Sequence, residues 1–308
     1  MSKTALLLAL CLLTSCGTVT NEIDLPSETV QEETIVEEEK TVEEAIPEEP
    51  EEEPVNEEPK KVETPKVVEA PSKAEDNNLT GLSNKKLAWY FIKAKDHAKS
   101  GIGSELKAVV DKYGAIYLDD TEEKVIFLTF DEGYENGYTG QILDTLKEYG
   151  VKATFFITGP YLDKQQDLIK RMIDEGHTVG NHTVNHPSMP SITDDEKLEK
   201  ELLDLDRKFF DIYGVSMKYL RPPMGEFSER TLALAKNLGY TSVFWSFAYR
   251  DWETDNQKGT DYALNTVINS LHPGEVLLLH AVSKDNANAL PRIIEKAREM
   301  GYTFGELR

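Results

Sequence analysis

The chain has 308 residues, with 56 Asp and Glu against 34 Lys and Arg and a formal net charge of −22 at pH 7. Residues 17–79 hold 21 of those acids and 5 of the bases, a net of −16, residues 80–308 hold 35 and 28, a net of −7, and Lys3 supplies the remaining +1. Nothing in this distribution neutralises phosphates, so nucleic acid is not an expected partner. With Cys11 and Cys16 as the only thiols, a disulfide framework and a cysteine-built metal site are excluded from the C-terminal part.

The N-terminus reads as an export signal. After Lys3 the apolar run from Ala5 to Leu13 is too short to cross a hydrocarbon core of about 30 Å but suits the h-region of a secretory signal. Leu13-Thr14-Ser15-Cys16 resembles the lipobox of bacterial lipoproteins, which implies that Cys16 is lipidated and that residues 1–16 are a lipoprotein signal peptide. A plain signal cleaved near Ser15 is the alternative. The first implies an exported protein anchored to the outer face of the cell membrane through Cys16.

Residues 17–80, with runs such as Pro50-Glu51-Glu52-Glu53-Pro54, have too few large apolar side chains to offset the entropy of ordering. They are expected to be a disordered acidic linker, roughly 45 Å long on average as a flexible coil and longer with self-repulsion. Residues 81–308 are long enough for one domain with a large core, expected to be a monomer.

In that part a capped helix is expected over Asn84 to His97, with Asn84 as N-cap and Leu87 and Phe91 on one face. Seven β-rich runs then alternate with helical patterns. The runs are 125–130, 153–157, 177–181, 219–221, 242–246, 275–279 and 302–304, and the helices 140–148, 165–175, 194–213, 228–238, 261–271 and 287–300. This order predicts an α/β fold, a distorted (β/α)7-type barrel of parallel strands with outer helices, an open doubly wound sheet being the alternative.

The reactive side chains follow the strands, where such folds place their sites. His97 and His272 have no clustered partner, and His177 reads as a core residue. His182 and His186 have the i, i+4 spacing that lets two imidazoles meet one metal across a helical turn. A carboxylate would complete the set, and Asp131 and Glu132 are the obvious donors, with Gly133 suggesting a tight loop that points both inward.

Taken together, Thr129-Phe130-Asp131-Glu132-Gly133, His182-Thr183-Val184-Asn185-His186, Arg221-Pro222-Pro223-Met224-Gly225, Asp251-Trp252 and Leu278-Leu279-His280 resemble the five ordered motifs of the polysaccharide deacetylase family, carbohydrate esterase family 4. The stretches Glu132 to Thr139 and His280 to Ala287 resemble the δ-lactam-biosynthetic branch, which implies deacetylation of N-acetylmuramic acid in peptidoglycan glycan strands. Relatives outside that branch act on peptidoglycan glucosamine, chitin or xylan. The resemblance implies a divalent metal, Zn²⁺ first with Co²⁺, Mn²⁺ or Ni²⁺ able to serve, held by Glu132, His182 and His186. It further implies Asp131 as base, His280 as acid, Arg221 orienting Asp131, and Asp251 raising the basicity of His280. The Met224 N–H is implied as oxyanion donor, with Tyr134, Trp252 and Leu278 in the substrate pocket. Glu132 stands where most relatives have Asp, and Met224 where they have Tyr. A catalytically weak glycan-binding domain of the same fold, with Glu132 as the lesion, is the reading from another class.

Overall fold

A computed structural model describes residues 79–308; the expected signal segment with Cys16, and the linker as far as Asn78, lie outside the described residues. The elements run β1 (Leu87–Ala88), α1 (Ser104–Tyr113), β2 (Val125–Glu132), α2 (Thr139–Glu148), β3 (Thr154–Ile157), α3 (Gly159–Lys164), α4 (Gln166–Asp174), β4 (Thr178–Asn181), α5 (Asp195–Tyr213), β5 (Tyr219–Leu220), β6 (Glu226–Phe227), α6 (Glu229–Asn237), β7 (Thr241–Ser242), α7 (Thr260–Ile268), β8 (Glu275–His280), α8 (Lys284–Glu299) and β9 (Thr303–Gly305).

The main sheet is parallel, in the order β7-β5-β4-β3-β2-β8. β2 shares one edge between two partners: β9 pairs with Val125–Phe127 and β3 with Thr129–Glu132. Past β7 the chain continues to Phe247, which bridges to Leu277 in β8, and Leu278 donates its N–H to the Phe247 carbonyl at 3.0 Å. The two ends of the strand order therefore meet, and the sheet curls into the expected (β/α)7-type barrel instead of lying open.

Strand alternation sorts the side chains into two layers. Phe127, Phe156, Tyr219, Val243 and Val276 pack inside the barrel. Their neighbours Ile126, Leu128, Phe130, Phe155 and Ile157 face the helices, where Ile142, Leu146, Leu202 and Ile294 cover them. At roughly 25 cal/mol per Å² of apolar surface removed from water, this double layer is the main source of stability.

The segment before β2 departs from expectation. Residues 84–97 form no helix: β1 pairs antiparallel with β6, and Ile92 bridges to Gly101. Trp89 stacks on Phe244 at 4.3 Å between ring centroids and meets Phe227 at 6.5 Å, a burial that outweighs local helix preference. Asn84 is no N-cap; its side chain donates to the Pro190 carbonyl and accepts from Ser228 Oγ. The first helix is α1, with Leu106 and Val110 buried one turn apart and Gly114 ending it in the left-handed region at φ 67°.

Candidate active site

The barrel's inward-facing layer continues upward into polar residues at the carboxyl ends of the strands. Asp131 pairs in register with His280 across β2 and β8, so both side chains rise on the same face. Asp131 Oδ1 accepts a hydrogen bond from Arg221 Nη1 at 2.8 Å, and its Oδ2 lies 3.6 Å from His182 Nε2. Arg221 is fully buried; it also donates to the carbonyls of Val243 and Phe244 and rests on the Phe156 ring at 4.2 Å. Burial alone would raise the Asp131 carboxyl, but the charge and hydrogen bond of Arg221, with the His280 side chain, outweigh it and hold the group below its ordinary value.

His182 donates Nδ1–H to the Arg221 carbonyl at 2.7 Å, which fixes the tautomer with the Nε2 lone pair free of a proton. Its ring centroid lies 4.7 Å from that of His186. The pair is not carried on a helical turn. Thr183 and His186 both take positive φ, 65° and 57°, and the bend is held by Asn181 Oδ1 accepting the Thr183 N–H and Thr183 Oγ1 accepting the His186 N–H. Burial, opposed by the Asp131 charge, lowers the His182 pKa to about 4 and lowers that of His186, so both are neutral at pH 7.

On the neighbouring strand, His280 donates Nδ1–H to Asp251 Oδ1 at 2.7 Å, and its backbone N–H donates to Asp251 Oδ2 at 2.8 Å. Asn286 Nδ2 adds a third hydrogen bond to Asp251, and Tyr249 OH in turn donates to Asn286 Oδ1. Burial, the largest influence on His280, lowers its pKa, but the charge and hydrogen bond of Asp251, with the charge of Asp131, raise it further than burial lowers it.

Glu132 is not brought to the histidines, contrary to its expected place as a metal ligand. β2 stays paired through Glu132, which sits in register with Ile157, so alternation turns its side chain to the helix-facing side while Asp131 faces in. There it is fully buried, and burial with the nearby charges of Glu135 and Asp131 pushes its carboxyl well above the ordinary range, against a hydrogen bond with Thr139 that opposes the shift. No group of three or more His, Cys, Asp or Glu among the described residues is arranged as a complete metal cage. The neutral histidine pair, with a free Nε2 on His182, nonetheless suits two ligand positions of a divalent ion, and Asp131 is the carboxylate beside it.

These residues open into a cavity of about 760 Å³. Tyr134, Met224, Trp252 and Leu278 are among the residues that line it; Met224 is 55% exposed and holds φ 58°. Phe91, Trp245, Tyr249 and Arg250 line it too and were not anticipated. The aromatic run Phe244 to Tyr249 is the signal that could have found two of them, Trp245 and Tyr249. Elsewhere, His97 Nδ1–H donates to the Leu271 carbonyl, His177 accepts the Ala153 N–H, and His272 is buried at the foot of the barrel, all away from the cavity.

A sequence-family model for polysaccharide deacetylase matches residues 118–243. The peptidoglycan-N-acetylmuramic acid deacetylase PdaA of Bacillus subtilis is 46% identical over 222 residues, covering 72% of this chain and 84% of that protein. A peptidoglycan-N-acetylglucosamine deacetylase of Bacillus cereus is 37% identical over 187 residues, 59% and 85% of the two chains. The solved structure of Bacillus subtilis PdaA, a family 4 carbohydrate esterase, superposes with a TM-score of 0.71 at 45% identity, covering 73% of this chain and 96% of that one.

Proposed function

Because the chain belongs to the polysaccharide deacetylase family, carbohydrate esterase family 4, and is thereby a hydrolase of non-peptide C–N bonds, we propose that it removes the N-acetyl group of muramic acid in peptidoglycan on the way to muramic δ-lactam. The observation that carries the reading is the in-register pair Asp131 and His280 at one cavity, each with its own buried partner, Arg221 and Asp251.

His182 and His186 would hold the divalent cation on which this family depends, Zn²⁺ or in its place Co²⁺, Mn²⁺ or Ni²⁺, whose chemistry there is to polarise the acetamide oxygen and acidify the attacking water. Asp131, kept ionised by Arg221, takes the water proton as the new C–O bond forms. The Met224 N–H is assigned to the developing oxyanion. His280, fixed by Asp251, whose charge raises its pKa, gives its proton to the amide nitrogen as the C–N bond breaks, so that acetate and a neutral amine leave. Leu278 and Trp252 are assigned to the slot for the acetyl methyl and Tyr134 to the substrate pocket, all three lining the cavity.

A base and an acid each with a dedicated partner would be superfluous in a glycan-binding module. N-acetylglucosamine of peptidoglycan is the second reading, favoured by the likeness to the Bacillus cereus protein. Mass spectrometry of muropeptides after incubation with the chain tests the choice. Loss of acetyl from muramic residues is expected; loss from glucosamine alone would replace the first reading by the second.

The chain would reach its substrate as an exported monomer anchored to the outer face of the membrane through lipidated Cys16, with residues 17–80 as spacer. Among the described residues no helix is long and apolar enough to cross a membrane.

A further inference from the structure

We propose that Arg250 selects a muramoyl sugar over a glucosaminyl one by binding the lactyl carboxylate that only the former carries; this rests on the deacetylase reading above and deepens it. The two sugars share the 2-acetamido group and differ at O3, where muramic acid bears a lactyl ether. Its acid is ionised at neutral pH when no stem peptide is attached and is an amide when one is. A site that prefers the peptide-free muramoyl sugar therefore needs a cation close to its acetamide slot.

Two guanidinium groups stand near the acetamide slot, and only that of Arg250 lines the cavity. Arg221 is fully buried and spends its donors on Asp131 and on the carbonyls of Val243 and Phe244, so a substrate carboxylate could claim it only by stripping the base of its partner. Arg250 stands at the rim with its side chain 71% exposed. Its one ion pair among the described residues is a single contact of Nη1 with Glu253 Oε1 at 3.5 Å. A long, solvated, one-pronged pair contributes little and leaves the planar fork open to two-pronged binding of a carboxylate. No lysine lines the cavity.

The chain order ties this cation to the chemistry. Arg250 directly precedes Asp251, which holds His280, and Trp252 directly follows, its ring 5.3 Å from the His280 ring. The cation, the partner of the acid and an aromatic wall thus occupy three consecutive positions of one loop. In the pyranose ring the acetamide and the lactyl ether sit on adjacent carbons. A sugar whose amide nitrogen meets His280 therefore carries its carboxylate one ring carbon away, within the span of the same loop. Exchange of Glu253 for the incoming carboxylate replaces one ion pair by another, which keeps the desolvation cost low.

The test is steady-state kinetics on three substrates: glycan strands freed of stem peptide, the same strands with the lactyl acid converted to a methylamide, and a chitin oligosaccharide. The unmodified enzyme should prefer the free acid over the methylamide by about tenfold in kcat/KM, through KM. In Arg250→Gln that preference should collapse toward unity, with KM rising on the free acid, and Arg250→Lys should restore part of it. An undiminished preference in Arg250→Gln, or an equal loss on the free acid and the methylamide, would overturn the proposal. A separate outcome, an unmodified enzyme that releases no acetate from either muramoyl strand, would overturn the muramoyl reading beneath it and this proposal as well.

Discussion

The Asp251 carboxylate holds His280 twice, through the ring Nδ1–H at 2.7 Å and through the backbone N–H at 2.8 Å. The residue that raises the imidazole pKa is therefore also the one that fixes its position on β8. Asp251→Asn should keep the ring in place but withdraw the charge, lowering kcat by about 10²-fold. Because that charge raises the His280 pKa, its loss should move the alkaline limb of the kcat profile to lower pH. In His280→Ala the limb should vanish, with turnover down ~10²–10⁴-fold. A pH series on both variants checks this.

Asp131 and Glu132, adjacent in sequence, face opposite sides of the barrel wall, and this separates them in any metal experiment. His182→Ala and His186→Ala should each lose most of the bound metal and activity, since affinity depends on the number of ligands. Glu132→Gln should keep its metal content, because the side chain is buried on the helix side. Elemental analysis of the purified variants distinguishes the two cases, and loss of metal from Glu132→Gln would show that the carboxylate reaches the histidines.

At the foot of β8, Glu275 is fully buried and accepts the His272 N–H at 3.0 Å. Burial pushes its carboxyl well above the ordinary 4.5, although the His272 hydrogen bond and Lys93 oppose the shift. Between the unfolded and folded values the native state binds the extra proton, so this stability is complete below about 4.5 and is lost as the pH rises through the folded value. Glu275→Gln should therefore melt a few degrees above the unmodified protein at pH 8 and beside it at pH 4. Thermal scans at the two values measure the difference.

For the anchor, Cys16→Ser should move the protein from the membrane to the soluble fraction or block its processing. Unchanged fractionation would remove the lipid from the account.

Most of the barrel was legible because its strands are short apolar runs between helical patterns, and because the residues after 130, 181, 220 and 279 are the polar ones that a parallel barrel presents at its carboxyl ends. Three features were hidden for physical reasons. Residues 84–97 read as a helix because local spacing does not show that Trp89 will find Phe227 and Phe244, far along the chain. Glu132 read as an inward ligand because Gly133 suggested a loop, whereas β2 pairing runs one residue further and period-two alternation decides the direction. The histidine spacing read as a helical turn, but two positive-φ residues, stabilised by the Asn181 and Thr183 side chains, bring the rings together instead.

The central claim is that this cavity performs hydrolysis and does not merely hold a glycan. It is tested most directly by acetate released from peptide-stripped peptidoglycan strands by the unmodified chain and by Asp131→Asn, with strand binding measured on both. The account predicts turnover by the unmodified chain, a fall of ~10²–10⁴-fold in Asp131→Asn, and similar glycan affinity for the two. Equal acetate release by both proteins, or binding by both with none released, would contradict it.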